Sequence, residues 1–348
     1  MKSFINHVIE KQNITRNILQ MISKISEYKG MQNLYKKQSP QILKTLLQIA
    51  TIQSTESSNK IEGIIVPHER IVSLVTKRKK PKNRSEEEIL GYKYVLNLIH
   101  NNHQNIPFKT NIILQFHKDL YKYATVSAGK WKNSDNTIEE ILPNGKRLIR
   151  FKPLSAFQTP DAMNQLQTSF NKEWERGNLH KLLLIATYIL DFLCIHPFLD
   201  GNGRLSRLLT LMLLYHSDYY VGQYISIEKI IEDTKEEYYS ALQKSSQSWH
   251  EGKHDLNPWW EYFLAIILEA YKSFEERVGY ISKGKGSKTG IILETIDSFQ
   301  NEFTIQDIQK NCPVVGIDLI RKTLARLKKR KKIACIGRGP MAKWKKMK

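Results

Sequence analysis

Residues 182–216 read LLLIATYILDFLCIHPFLDGNGRLSRLLTLMLLYH. From Leu182 to Phe198 this is the most apolar part of the sequence, interrupted by Asp191 and His196. It is short for a bilayer span, so it predicts a buried central helix rather than a membrane helix. After the glycine-bearing turn Asp200-Gly201-Asn202-Gly203, a second apolar helix runs from Arg204 to His216. Helices that are apolar all round must be enclosed by other helices, so the chain is expected to be mostly α.

Working outward, the patterning stays helical and carries no internal repeat. Residues 1–28 read as a polar N-terminal helix, and a second helix runs from Gln41 toward Ser57. Lys77 to Arg84 is a basic loop containing Pro81. Ser85 reads as an N-cap with Glu88 three residues on, opening a helix to about Asn101. Further helices are expected at Thr110–Tyr123, Asp161–Arg176, Leu179–Ile195, Thr234–Gln247 and Pro258–Phe274. The exception is Thr137–Ile141 and Lys146–Phe151, which flank Pro143-Asn144-Gly145. Asn-Gly between short apolar runs signals a β-hairpin. Lys283 to Lys288 reads as a flexible basic linker, and a domain boundary is placed there.

Hydrophobic residues make up 41% and charged residues 25% of 348 residues, the composition of a soluble globular protein. Cys194, Cys312 and Cys335 form neither a CxxC pair nor metal-ligand spacing, which argues against a disulfide framework or a zinc site. Free thiols suit a reducing cytosol, so a cytoplasmic location is expected. Residues 1–20 lack the apolar core of a secretory signal. The net charge is +20, and residues 281–348 hold 17 Lys and Arg against 5 Asp and Glu. A basic excess so concentrated points to contact with something acidic, nucleic acid among the candidates; a solubilising tail is the alternative.

The chemistry is concentrated in His196-Pro-Phe-Leu-Asp-Gly-Asn-Gly-Arg-Leu-Ser-Arg207. Gly201 and Gly203 let the backbone turn sharply and approach a ligand. The free N–H groups of the following helix make a ready anion site. Arg204 and Arg207 lie three apart on that helix and could both reach phosphate oxygens. Asp200 offers a hard oxygen to a phosphate-bound magnesium ion. His196 can take a proton from an attacking hydroxyl. Singly, each has a plainer use: a helix-end histidine caps, Gly-Asn-Gly turns, Asp200 caps, Phe198 packs. Together, base, metal ligand, anion loop and two arginines fall within twelve residues.

This segment resembles the Fic family motif, His-x-Phe-x-Asp/Glu-Gly-Asn-Gly-Arg-x-x-Arg, at all eight specified positions. The resemblance extends over roughly residues 35–275. It implies a helical Fic core that uses ATP and Mg2+ to move AMP onto a Ser, Thr or Tyr hydroxyl of a protein. His196 would be the general base, Asp200 the magnesium ligand and Asn202 a phosphate contact. Amides of Gly201 to Gly203 would form the anion hole, and Arg204 and Arg207 would hold phosphates. The glycine pattern favours AMP transfer over the phosphoryl transfer of the related Doc-type kinases. Gly129-Lys130-Trp131-Lys132 and the hairpin look like the family's target-holding flap. Trp131 and Ile138 could contact the target, and Tyr238 and Tyr239 could line an adenine pocket; helix packing is the alternative for each.

Upstream, Ser58-Asn-Lys-Ile-Glu62-Gly63 matches the family's inhibitory pattern, Ser/Thr-x-x-x-Glu-Gly/Asn. It implies autoinhibition, with Glu62 pairing with Arg207 and Ser58 holding the helix in place. The plainer reading is a helix that ends at Gly63. Residues 288–348 resemble a winged helix, with Asp318 to Lys329 as recognition helix and a basic wing from Arg338 to Lys346. The expected division is thus 1–100, an N-terminal helical region with the inhibitory helix at about 55–63; 101–280, the catalytic core; and 288–348, the winged-helix-like unit. Besides the protein substrate, DNA or protein is expected on the C-terminal unit; a homodimer is left open and no membrane partner is expected. Two rival readings remain: a DNA-binding regulator whose Fic domain senses nucleotide, and removal of AMP by the same site.

Overall fold

In the computed structural model, the described residues are all except 6–7, 39, 78, 142–146, 283–287, 300, 313–314, 331, 338, 340–341 and 348. The protein is mostly helical, with small antiparallel sheets. In order, α1 (Arg16–Gln38), α2 (Pro40–Ile61), α3 (His68–Lys77), α4 (Arg84–Asn102) and α5 (Thr110–Leu120) precede a strand pair, β1 (Ile138–Ile141) and β2 (Arg147–Phe151). Next come α6 (Thr159–Arg176), α7 (Lys181–Ile195), α8 (Asn202–His216), α9 (Ile227–Asp233), α10 (Lys235–Ser246) and α11 (Asn257–Ser282).

The two apolar helices form the centre. Every residue of α7 from Leu182 to Ile195 is buried, and so is α8 from Arg204 to Tyr215. α6, α8, α10 and α11 pack around α7, while α2, α4 and α5 pack against α8. The α7–α8 loop therefore emerges from the buried centre of the helical core. Among the described residues no helix is long and apolar enough to cross a membrane.

Several boundaries differ from the sequence expectation. The first helix starts at Arg16, where the Thr15 hydroxyl accepts the Ile18 N–H. Ahead of it the chain turns into the core instead of continuing as helix. There Ser3 donates from Oγ to Asp191 at 2.6 Å, and Trp249 donates to the same carboxylate at 2.6 Å. A carboxylate buried on α7 must be hydrogen-bonded, and these residues supply the bonds. α4 is capped by Asn83, which accepts the Glu86 N–H, rather than by Ser85. Glu88 is thereby free for another partner. α3 and α9 were not foreseen; α9, at seven residues, is too short to display a helical period.

β1 and β2 pair antiparallel, Ile141 opposite Arg147; the expected turn at Pro143-Asn144-Gly145 lies outside the described residues. So does the expected linker, apart from Lys288, which opens α12 (Lys288–Ser298). Beyond it lie β3 (Phe303–Thr304), α13 (Ile305–Asn311), α14 (Ile317–Lys329), β4 (Ile333–Ile336) and β5 (Lys343–Lys346). The strands form an antiparallel sheet of order β3-β5-β4. This unit has its own core, built around Ile292, Phe303, Ile308, Ile320, Leu324 and Ile333. Of the expected basic wing from Arg338 to Lys346, residues 338, 340 and 341 lie outside the described residues.

Candidate active site

α7 ends at His196, whose backbone adopts φ 51° and ψ 62°. This left-handed turn stops the helix and swings the imidazole toward the loop. His196 Nδ1 lies 3.2 Å from the Leu193 carbonyl oxygen. A carbonyl can only accept, so Nδ1 carries the hydrogen and Nε2 keeps its lone pair. Burial lowers the His196 pKa to about 4, against the opposing pull of the Leu193 carbonyl and the carboxylates of Glu62 and Asp200. The ring is neutral near pH 7 and able to accept a proton.

The loop is held by groups far away in sequence. Phe198 stacks on His117 with ring centroids 3.7 Å apart. His117 Nδ1 accepts the Gly129 N–H at 2.9 Å, so its Nε2–H donates to the Asp200 carbonyl at 3.1 Å. Burial brings the His117 pKa to about 4, which keeps this tautomer neutral. Lys132, buried, donates to the Ile195 carbonyl and to Asn136, and burial lowers its pKa to about 8. Asn136 in turn donates to the Phe198 carbonyl.

Asn202 was expected to touch phosphate. Instead its side chain, buried, accepts the Phe198 N–H at 2.9 Å and donates to the Phe198 carbonyl at 2.7 Å. It closes a ring across the turn, so its amide braces the loop.

Glycine is required at position 201 for its positive φ, and at 203 a side chain would displace the end of Glu62. Gly201 has φ 84°, and a Cβ there would lie 3.0 Å from the Tyr121 hydroxyl. At Gly203 a Cβ would lie 2.1 Å from Glu62 Oε1. A carboxylate from α2's end thus stands against the first turn of α8, where unpaired amides favour an anion. Glu62 is in effect an internal anion at this helix end. Asp200 is 61% exposed on the outer side of the turn, where its carboxylate accepts the Gly201 N–H. Among the described residues no cluster of three or more His, Cys, Asp or Glu is placed to hold a metal. One exposed carboxylate fits magnesium, which relies on substrate phosphates and water for its remaining ligands.

The two arginines separate. Arg207 donates from Nε to Ser58 Oγ at 2.8 Å, and from Nη2 to the Ser58 carbonyl at 2.9 Å and Glu62 Oε1 at 2.8 Å. Among the described residues, its buried Nη1 has no hydrogen-bond partner. Arg204 does not join it at the anion position. Its guanidinium donates to Glu88 at 2.6 Å and to the Tyr121 hydroxyl at 2.9 Å, and is 1% exposed. Glu88 and Tyr121 draw it into the α4–α5 side of the core, so Arg204 ties α8 to its neighbours. The expected phosphate contact is not available to it in this arrangement.

Ser58 and Glu62 lie at the C-terminal end of α2, and Gly63 terminates the helix at φ 83°. Helix end and arginine clamp are therefore one feature. The helix end is further held by Glu232, which accepts from Ser57 at 2.7 Å and Lys60 at 2.5 Å. Lys235 also donates to the Ile61 carbonyl. Tyr238 is buried against Trp259 and Tyr262, and Tyr239 is 45% exposed beside it. Tyr238 lines a cavity of about 20 Å³ under Arg207, room for a water and not for a purine. Trp131 packs on Phe198, and Ile138 lies half-buried on β1. The sequence reading missed His117, Asn136 and Glu232, none of which sits in a local pattern, and took Glu88 only for a capping residue of α4.

Residues 107–214 match the sequence model of the Fic/DOC family. The fold resembles a Fic family protein from Desulfovibrio desulfuricans G20, with TM-score 0.63 and 20% identity over 96% of this chain and 97% of that one. It also resembles a Fic-domain-containing signaling protein from Bacteroides thetaiotaomicron, with TM-score 0.60 and 21% identity over 76% of this chain and 97% of that one. Fic-1 of C. elegans (residues 134–508) aligns with TM-score 0.58 and 16% identity, over 77% of this chain and 74% of that one. A 94-residue stretch is 31% identical to the ribonucleoside-diphosphate reductase small chain of Ostreid herpesvirus 1, covering 27% of this chain and 14% of that protein. That overlap spans too little of the viral protein to carry its activity. Fic-domain proteins generally transfer nucleotide-derived groups to proteins, and residues 107–214 of this chain form a Fic/DOC family domain.

Proposed function

We propose that this protein transfers AMP from magnesium-bound ATP to a Ser, Thr or Tyr hydroxyl of a protein, itself included, and that Glu62 represses the reaction. The observation that carries this reading is a neutral His196 beside an α8 first turn where the Glu62 carboxylate lies against Gly203 and accepts from Arg207. A site that already holds an anion is built for one.

In the reaction, His196 Nε2 takes the proton of the target hydroxyl. The hydroxyl oxygen bonds to the α-phosphorus, the bond from that phosphorus to the β-phosphate oxygen breaks, and pyrophosphate leaves. Amides at the start of α8 stabilise the charge that develops on the phosphoryl oxygens. Magnesium, when bound through Asp200, neutralises phosphate charge. Asn202, His117 and Lys132 hold the loop rigid, so the geometry is set before the substrate arrives. Arg207 becomes available to phosphate only when Ser58 and Glu62 release it. On its order of helices and strands we read residues 288–348 as a winged-helix unit, and we place the enzyme in the cytoplasm.

The test uses ATP labelled on either the α- or the γ-phosphate. Label from the α-position should enter protein, and label from the γ-position should not. A His196→Ala variant should lose the transfer by about 100- to 10,000-fold while still binding ATP. Protein labelled from the γ-position would make the enzyme a kinase and sink the proposal.

A further inference from the structure

We infer that Arg84 binds the phosphates beyond the α-phosphate of the nucleotide, in the place that Arg204 does not fill. The inference rests on the proposed nucleotide chemistry and adds a binding residue to it. Arg84 opens α4, far from the glycine turn in sequence, and its side chain is 65% exposed. Its Nε donates to Glu88 Oε1 at 2.8 Å, and its Nη2 stands 4.0 Å from Asp200 Oδ2. The second gap is too long for a hydrogen bond, so the outer edge of the guanidinium faces Asp200 without bonding it. On the inner side, Arg204 Nη2 stands 3.7 Å from Asp200 Oδ1. The Asp200 carboxylate thus lies between a buried arginine and an exposed one.

Glu88 decides which arginine is available. Its Oε2 accepts from Arg204 and its Oε1 from Arg84, so one carboxylate commits the first to the core and steadies the second at the surface. A cation is unfavourable in the first turn of a helix, where the peptide dipoles present their positive ends. Asn83 already caps α4, so the helix gains nothing from Arg84 at that place. The segment before it is pinned: Glu86 accepts the Lys82 N–H at 2.8 Å and pairs with Arg70 at 2.7 Å, and Arg70 also donates to the Lys80 carbonyl. Lys79, Lys80 and Lys82 are exposed along it. A triphosphate carries more charge than Arg207 alone balances, and a planar guanidinium matches two phosphate oxygens at once. An acidic side chain of a protein target would meet the repulsion of Asp200 here. A phosphate joined to Asp200 through magnesium would not.

The experiment is calorimetric titration of the full-length protein with ATP, ADP and AMP at fixed magnesium, in a Glu62→Gly background that clears the anion position. Arg84→Ala should weaken ATP and ADP by at least about tenfold, the worth of a hydrogen bond to a charged group. AMP should change by less than about twofold and serves as the control for an intact site. Arg84→Lys should recover part of the loss, since it keeps the charge and gives up the fork. Lys80→Ala removes an exposed charge from the same segment and should cost less than about threefold. Equal weakening of AMP would mean a damaged loop and overturn the inference. Equal losses in Arg84→Ala and Lys80→Ala would also overturn it, showing only a general positive field. Unchanged ATP affinity in Arg84→Ala would remove Arg84 from the site and leave the proposed transfer standing. If neither ATP nor ADP binds while Arg84 is present, the nucleotide reading fails and this inference falls with it.

Discussion

Arg204 and Glu88 form an ion pair at 2.6 Å in which the guanidinium is 1% exposed and the carboxylate 6%. It links the first turn of α8 to the first turns of α4 across the interior. A buried pair adds little over an apolar pair, but breaking one leaves a charge without a partner. Glu88→Ala should therefore destabilise the protein by about 3–5 kcal/mol. Urea unfolding followed by tryptophan fluorescence checks this, since Trp249 and Trp260 are buried in the same core. A shift no larger than that of an exposed substitution would remove the pair from the framework.

Glu62→Gly should raise protein labelling. Each tenfold of repression requires about 1.4 kcal/mol, which an exposed ion pair cannot supply. Here Arg207 is 4% and Glu62 30% exposed, so the pair is partly shielded from water. The gain should be at least about tenfold. Arg207→Ala should not reproduce it, because that change also removes the proposed phosphate ligand. Unchanged labelling in Glu62→Gly across a range of ATP concentrations would reduce Glu62 to a helix end.

Glu232 should act on the same equilibrium without touching the nucleotide. By holding Ser57 and Lys60, it ties the end of α2 to α9 and so fixes the helix end that carries Ser58 and Glu62. Glu232→Ala should raise labelling by less than Glu62→Gly does. Added to Glu62→Gly, it should change nothing further, because there is no longer an inhibitor to position. Additive effects in the double variant would place Glu232 outside the repression.

The pH profile follows from the buried histidines. His196 works only unprotonated, and its pKa is lowered to about 4. Labelling by the Glu62→Gly variant should stay level from pH 8 to about 5 and fall only as pH drops toward about 4. A midpoint near 6.5 would mean a solvated imidazole. Stability should respond in the same window. His100, His117 and His196 each have a folded pKa of about 4, below the ordinary 6.5. The unfolded chain therefore binds protons first as pH falls. Their contribution is complete above pH 6.5 and is lost on the way down to about 4, by up to about 1.4 kcal/mol per pH unit for each histidine. Urea midpoints at pH 7 and 5 measure the loss, and His100→Gln should shrink it.

Asp200→Ala should weaken the magnesium-dependent part of nucleotide binding with little effect on folding. The carboxylate is 61% exposed; it accepts the adjoining Gly201 N–H and lies 3.7 Å from the Arg204 guanidinium. Titrating ATP by calorimetry with and without magnesium checks this. Equal metal dependence in wild type and variant would rule Asp200 out as the ligand.

The sequence by itself determined the central pair of helices, because only burial suits faces as apolar as those of Leu182–Ile195 and Leu205–Tyr215. It also determined the turn, since the glycines of Gly201-Asn202-Gly203 permit the left-handed backbone that Gly201 adopts. The His196 position and the Ser58–Glu62 spacing were legible for the same reason: each depends on residues within one helical turn. What Asn202 and Arg204 do was not legible. Their chemistry suits phosphate, and their spacing permits it. Which partner each side chain meets was decided by elements more than a hundred positions away for Arg204, and within the folded turn for Asn202. Only the packing of α4 against α8 brings Glu88 to Arg204, and only the packing of α2 brings Ser58 and Glu62 to Arg207. A guanidinium in a low-dielectric interior takes the carboxylate that tertiary structure supplies, and no local spacing encodes which one that will be.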